Sequence, residues 1–127
     1  MTSPAKILAV DDEPELTDLI QYNLVRAGHE VTTAANGWDA LDCIKRCRPD
    51  LILLDLMLPD LAGFGVCEIL RRDPRTATIP IIIVTAWAST DSRNLGLELG
   101  ALDYLTKPFS PKELVFRVNQ LLHDRAV

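Results

Sequence analysis

The chain has 127 residues, 48% of them hydrophobic and 24% charged, which suits one globular domain with a real core filling residues 1–127. A net charge of −5 and a pI near 4.9 argue against direct nucleic-acid binding, which needs clustered Lys and Arg, and Arg71-Arg72 is too short a run to supply them. No apolar run approaches the roughly 20 residues that span a bilayer, and MTSPAKILAV lacks a secretion signal's basic start and cleavage site, so a soluble, cytoplasmic protein with no membrane contact is expected.

The first apolar run, AKILAV, reads as a strand and ends in Asp11, Asp12 and Glu13. A helix is predicted from about Pro14 to Ala27, with Leu16, Leu19, Ile20 and Leu24 on one face. Asp12 is positioned to cap it, Pro14 suits its first turn, and Gly28 suits its exit. EVTTAA is more polar and alternates, as an edge strand does. A second helix follows Asn36-Gly37, carries Ala40, Leu41 and Ile44, and ends before Pro49.

LILL, residues 51–54, is apolar on both faces, and Asp55 follows it directly. The third helix starts near Gly63 and is expected to bury Phe64, Cys67 and Leu70. PIIIV leads to Thr85. The fourth helical stretch, STDSRNLGLELG, carries an internal Gly96 and little apolar pattern, which marks it as the weakest. ALDYLT leads to Lys107-Pro108, and SPKE opens the last helix as a capping box of Ser110 and Glu113, with Leu114, Val118, Leu121 and Leu122 inward.

Strands that are apolar on both faces belong to parallel sheets covered by helices on either side. Five βα units joined by right-handed crossovers predict an α/β fold with a doubly wound five-stranded parallel sheet. Three cysteines, Cys43, Cys47 and Cys67, argue against a disulfide framework. A zinc site would need more ligands than His29 and His123 readily supply, so the cysteines read as packing or surface residues.

Ligands of such sheets bind beyond the carboxyl ends of the strands. Four of the five strands end there in a functional group: Asp11 and Asp12, Asp55, Thr85, and Lys107. Two carboxylates about 4 Å apart repel by roughly 4 kcal/mol at an effective dielectric near 20. A hard divalent cation, Mg²⁺ or Mn²⁺, offsets such a cluster. Lys107 suits a phosphate oxygen or Asp55 itself, and Thr85 offers a hydroxyl to a phosphoryl oxygen. Asp55 is then a candidate nucleophile that forms an aspartyl phosphate.

AVDDE, LLDLMLPDLAGF, Thr85-Ala86 and DYLTKPF together resemble the receiver domain of bacterial two-component response regulators, across essentially the whole chain. The resemblance implies a flavodoxin-like (βα)5 fold with strand order 2-1-3-4-5. It implies Asp55 as phosphoacceptor, and Asp11, Asp12, Asp55 and the backbone carbonyl of Met57 as metal ligands. It implies Thr85 as the switch hydroxyl, Tyr104 as an aromatic that turns inward on activation, and Lys107 as the phosphate-binding lysine. It also suggests a cis Lys107-Pro108 bond. Tyr104 reads alternatively as packing. Trp87 reads as a shield for the phosphoryl group, a partner surface or a loop aromatic, and Trp38 as packing or surface.

The partners so implied are a histidine kinase or phosphotransfer protein and, downstream, another protein or an output domain outside this sequence. GALDYLTKPFSPKELVFRV is similar to receivers of winged-helix transcription factors, which pair through the fourth helix, fifth strand and fifth helix. Arg93, Asp103, Glu113 and Arg117 are candidates for that pairing, while Leu102 departs from the acid common there. A phosphorylation-strengthened homodimer is one expectation. Two competing classes are a degenerate receiver used as a scaffold, which the intact acids, threonine and lysine oppose, and an aspartate-nucleophile phosphatase. The phosphatase needs an acid two residues after the nucleophile, where this chain has Met57. No enzymatic turnover is expected beyond self-phosphorylation from a donor and self-dephosphorylation.

Overall fold

A computed structural model describes residues 4–87 and 89–125. The elements alternate: β1 (Lys6–Val10), α1 (Pro14–Arg26), β2 (Glu30–Ala34), α2 (Gly37–Cys47), β3 (Leu51–Leu54), α3 (Gly63–Arg72), β4 (Ile81–Thr85), α4 (Thr90–Glu98), β5 (Asp103–Thr106) and α5 (Pro111–Arg125). All strand pairs are parallel, in the order β2-β1-β3-β4-β5. The expected five-stranded, doubly wound sheet is therefore the observed one.

The two-residue period of the strands divides the core. Ile7, Ala9, Leu51, Leu53, Ile82, Val84 and Leu105 join one apolar cluster with Ile20 and Leu24 of α1 and Leu114 and Val118 of α5. Leu8, Val10, Ile52, Leu54, Ile81 and Ile83 point the other way, to Leu41 and Ile44 of α2 and Val66, Cys67 and Leu70 of α3. Both faces of the central strands are dry, and fully burying one such aliphatic side chain contributes about 1.5–3 kcal/mol.

Helix ends follow local chemistry. The Asn36 side chain accepts from the Asp39 N–H at 2.9 Å, the Ser89 hydroxyl from Ser92 N–H, and Ser110 Oγ from Glu113 N–H. The Glu113 carboxylate reaches forward to Arg117 at 3.6 Å. α1 closes on the Gly28 turn, where the N–H groups of Gly28 and His29 donate to the carbonyls of Val25 and Leu24.

Three expectations need correction. Asp12 does not cap α1: Glu13 stands at the N-cap with no side-chain cap bond, and Asp11 Oδ1 accepts from Glu13 N–H at 2.9 Å. Leu19 is 40% exposed, because the buried stripe runs through Thr17, Ile20 and Leu24, and neighbours in sequence point about 100° apart on a helix. Phe64 is half-buried rather than buried, as are Leu121 and Leu122.

Gly96 explains the weak look of α4. A Cβ there would stand 2.6 Å from Ile83 Cδ1, so the residue that lowers helix propensity is the one that lets α4 press against β4. All three cysteines are free, with Cys43 and Cys67 buried and Cys47 exposed. Burial pushes the Cys67 thiol up to about 11.

Candidate functional site

The polar groups that end the strands gather at one rim. β1 and β3 are neighbours in register, Val10 beside Leu54, so the residues that follow them, Asp11 and Asp55, leave the sheet side by side. Both side chains are buried. Gly63 sets how closely α3 approaches this point, since a Cβ there would lie 2.4 Å from the Asp55 carbonyl oxygen and 2.7 Å from Leu56 Cα. Asp55 Oδ1 accepts from Met57 N–H at 3.1 Å.

Carboxylate oxygens of Asp11, Asp12, Glu13 and Asp55 all lie within 4.8 Å of one another. Lys107 enters from the end of β5, after which the Lys107-Pro108 bond is cis. Its Nζ stands 2.7 Å from Asp11 Oδ2, 3.0 Å from Asp55 Oδ2 and 3.2 Å from Glu13 Oε1. One ammonium thus serves three of four acids. At 4.8 Å two carboxylates repel by roughly 3–4 kcal/mol at an effective dielectric near 20, and less where water reaches them. The cluster has room and charge for a divalent cation, and its all-oxygen donor set is the hard kind that such cations take.

The electrostatics agree with this geometry. Burial raises the Asp11 carboxyl above the usual aspartate range, against the opposing pull of Lys107 and the Glu13 N–H. Burial opposes the charge of Lys107 too, but hydrogen bonds to Asp11 and Asp55 outweigh it, so the ammonium is held more firmly than an ordinary lysine.

Thr85 ends β4 and is fully buried, and its Oγ1 accepts from Trp87 N–H at 3.3 Å. Tyr104 lies inward, 4% exposed. Its hydroxyl donates to the Trp87 carbonyl and meets Ser92 Oγ at 3.2 Å, while the Arg93 guanidinium lies 5.0 Å above its ring. Trp87 thereby touches both Thr85 and Tyr104 through its backbone. Its half-exposed indole meets Phe64 edge-on, with ring centroids 6.2 Å apart. The Met57 side chain is exposed. Arg117 pairs within the chain with Asp103 at 2.7 Å and with Glu113 at 3.6 Å.

Two acids of this rim escaped assignment from sequence. Glu13 had a visible signal, a third acid directly after Asp11 and Asp12, but its contact with Lys107 needs the fifth strand in place. Asp60 had none: its carboxylate accepts from the N–H groups of Gly37 and Trp38, more than twenty residues away, and so caps α2 beside the site.

This sheet order, with an acid cluster and a lysine at its carboxyl rim, defines a class, and the chain belongs to it: residues 7–119 match the family described as the response regulator receiver domain. The chain is 50% identical over 117 residues to the Bacillus subtilis alkaline phosphatase synthesis transcriptional regulatory protein PhoP, and 46% identical over 117 residues to the dual master transcriptional regulator RpaA of Synechocystis. Each match covers 92% of this chain and 48% of the relative, so the chain spans about half the length of the curated relatives it matches. Among solved structures, a response regulator from Chloroflexus aurantiacus superposes with a TM-score of 0.90 at 40% identity, covering 95% of this chain and 99% of that one. The chemotaxis protein CheY4 of Vibrio cholerae gives 0.86 at 33% identity, covering 94% and 99%. This chain is a receiver domain of the two-component kind, and no helix among its described residues is long and apolar enough to cross a membrane.

Proposed function

We propose that Asp55 is the phosphoacceptor, receiving its phosphoryl group from a histidine kinase or phosphotransfer protein in the cytoplasm, and that residues 1–127 act as one receiver module. The observation that carries this reading is the buried Asp55 carboxylate at the mouth of β3, held by Lys107 within a ring of three further acids. In the transfer an Asp55 carboxylate oxygen bonds to phosphorus, and the donor's leaving atom departs with the electron pair of the broken bond. Lys107, now on Asp55 Oδ2, passes to a phosphoryl oxygen. Thr85 Oγ1 already accepts from Trp87 N–H, which leaves its own proton to be donated to the phosphoryl group.

Asp11, Asp12, Asp55 and the Met57 carbonyl would hold Mg²⁺ or Mn²⁺, a role that the hard donors and excess negative charge of the cluster suit. When bound, the ion supplies positive charge that offsets the carboxylates and the phosphoryl oxygens. The same groups serve self-phosphorylation from small donors and self-dephosphorylation, and no other turnover is proposed. Tyr104 and Thr85 meet at the Trp87 backbone, so a shift of Thr85 toward the phosphoryl group is felt at Tyr104 and, through Ser92 and Arg93, at α4.

The test is intact mass after incubation with Mg²⁺ and a small acyl-phosphate donor. Wild type should gain one phosphoryl group and Asp55→Asn none. Addition to both proteins would reject Asp55 as the acceptor.

The output is a downstream protein or an output segment of the kind the longer relatives leave room for. One such route is pairing with a second copy through α4, β5 and α5. Leu95, Leu97 and Leu102 are exposed on α4 and the turn before β5, beside Arg93, Asp103, Glu113 and Arg117. The last three are engaged within the chain and Arg93 lies over Tyr104, so pairing requires an exchange of partners. Gel filtration should show a dimer favoured by a phosphoryl analogue. A monomer in both states ends the dimer reading.

A further inference from the structure

The chain is acidic overall, yet six of its 13 lysines and arginines fall between Lys45 and Arg75. They lie in the last turns of α2 and α3 or just after them, at the amino ends of the strands, opposite the acid cluster. Most are accounted for. Arg46 pairs with Asp42 and Arg72 with Glu68, each one helical turn apart. Arg71 donates to the carbonyls of Ala77, Ile79 and Gly100. Basic residues in a last turn also suit the helix dipole, which is reason enough for Lys45 and Arg46.

Arg48 is different. It caps α2 at φ +36°, and it is the one non-glycine residue with positive φ among those described. Glycine fills that position at lower cost, so the turn itself gives no reason for arginine. Its Nε donates to the Arg75 carbonyl at 3.2 Å, which fixes the guanidinium plane and leaves both Nη groups without a partner among the described residues. Beside it opens a cleft of about 470 Å³, lined by Ile44, Lys45, Arg48, Asp73, Pro74, Arg75 and Thr76. Among the described residues Lys45 forms no ion pair within 4.0 Å. Against three cations stands only Asp73, which is bound by Arg75 and held below the usual aspartate range by that pairing.

The far wall is preformed. Thr76 is buried, its hydroxyl donates to the Leu70 carbonyl at 2.8 Å, and the N–H groups of Thr76 and Ala77 donate to the Asp73 carbonyl. A ligand need not order this loop, which removes one cost of binding. The volume lies within the range of small-molecule sites.

We propose that this cleft is a second ligand site, distinct from the acid cluster, that takes a small organic phosphate. The phosphate meets Arg48 and Lys45, a planar guanidinium and a compact ammonium. Ile44 and Pro74 line the part of the cleft left for the organic portion.

The test is a titration of ¹⁵N-labelled protein, without Mg²⁺, with AMP, glucose 6-phosphate and inorganic phosphate in parallel. AMP or glucose 6-phosphate should shift the amides of Lys45, Arg48, Arg75 and Thr76 to saturation, about tenfold more tightly than inorganic phosphate. Which of the two binds better separates a nucleotide from a sugar phosphate. Arg48→Gly supplies the residue that the turn prefers, so it should fold, keep its acyl-phosphate labelling at Asp55, and bind about tenfold more weakly. The proposal is overturned by no saturable shift with either organic phosphate, by equal affinity for all three anions, or by unchanged binding in Arg48→Gly.

Discussion

Asp12→Asn isolates the strain in the acid cluster. Asp12 is exposed, makes no hydrogen bond to Lys107, and faces Asp11, Glu13 and Asp55 within 4.8 Å. A fully dry pair at that separation would repel by roughly 3–4 kcal/mol at a dielectric near 20, but exposed charge pairs are worth about 0.2–1 kcal/mol each. Three such repulsions, less some attraction to Lys107, leave about 1 kcal/mol to be recovered. For a domain of this size that raises the Tm of metal-free protein by about 3 °C. Asp55→Asn should gain less, because it also gives up the 3.0 Å contact with Lys107. Mg²⁺ at ten times its Kd should stabilise wild type by about 1.4 kcal/mol, or roughly 4–5 °C, and both variants by less. The assay is thermal unfolding by circular dichroism in EDTA and in excess Mg²⁺. A lower Tm for Asp12→Asn in EDTA, or the same Mg²⁺ increment in all three proteins, would refute the reasoning that these acids form one strained site.

The Asp60 carboxylate is partly desolvated, which raises its pKa, but the N–H groups of Trp38, Gly37 and Leu61 outweigh this and hold it below the usual aspartate range. A depressed acid contributes stability above its unfolded pKa and loses it as pH falls through the folded one. Asp60→Ala should therefore melt below wild type at pH 7, with the gap closing as pH falls below the ordinary aspartate range of about 4, and a gap independent of pH would reject the capping role. Arg71→Ala removes three hydrogen bonds from a charged donor to the carbonyls of Ala77, Ile79 and Gly100. At about 1 kcal/mol each, the loss of about 3 kcal/mol should lower Tm by about 10 °C, and a shift under 3 °C would show that the loop after α3 holds without it.

Much of this protein was legible in its sequence because the informative signals are local. Runs such as LILL and PIIIV, apolar on both faces, admit few environments besides the middle of a helix-covered parallel sheet. Once the strands are placed, the residue after each one must stand at the carboxyl rim, so Asp11, Asp55, Thr85 and Lys107 could be listed together before any contact was known. What only the tertiary structure decided are the partners across sequence. Lys107 divides itself among Asp11, Asp55 and Glu13, Asp60 caps a helix that begins 23 residues earlier, and buried His29 joins the Ala5 N–H to Asn119 of α5. Leu19 turns outward although its composition argues for the core, because the stripe of a helix is set by what it packs on. The physical division is one of range. Periodicity and turn chemistry act within a few residues and can be read along the chain. Shared hydrogen bonds and charge repulsion depend on distances between strands, and those exist only after β1, β3 and β5 have taken their places in the sheet.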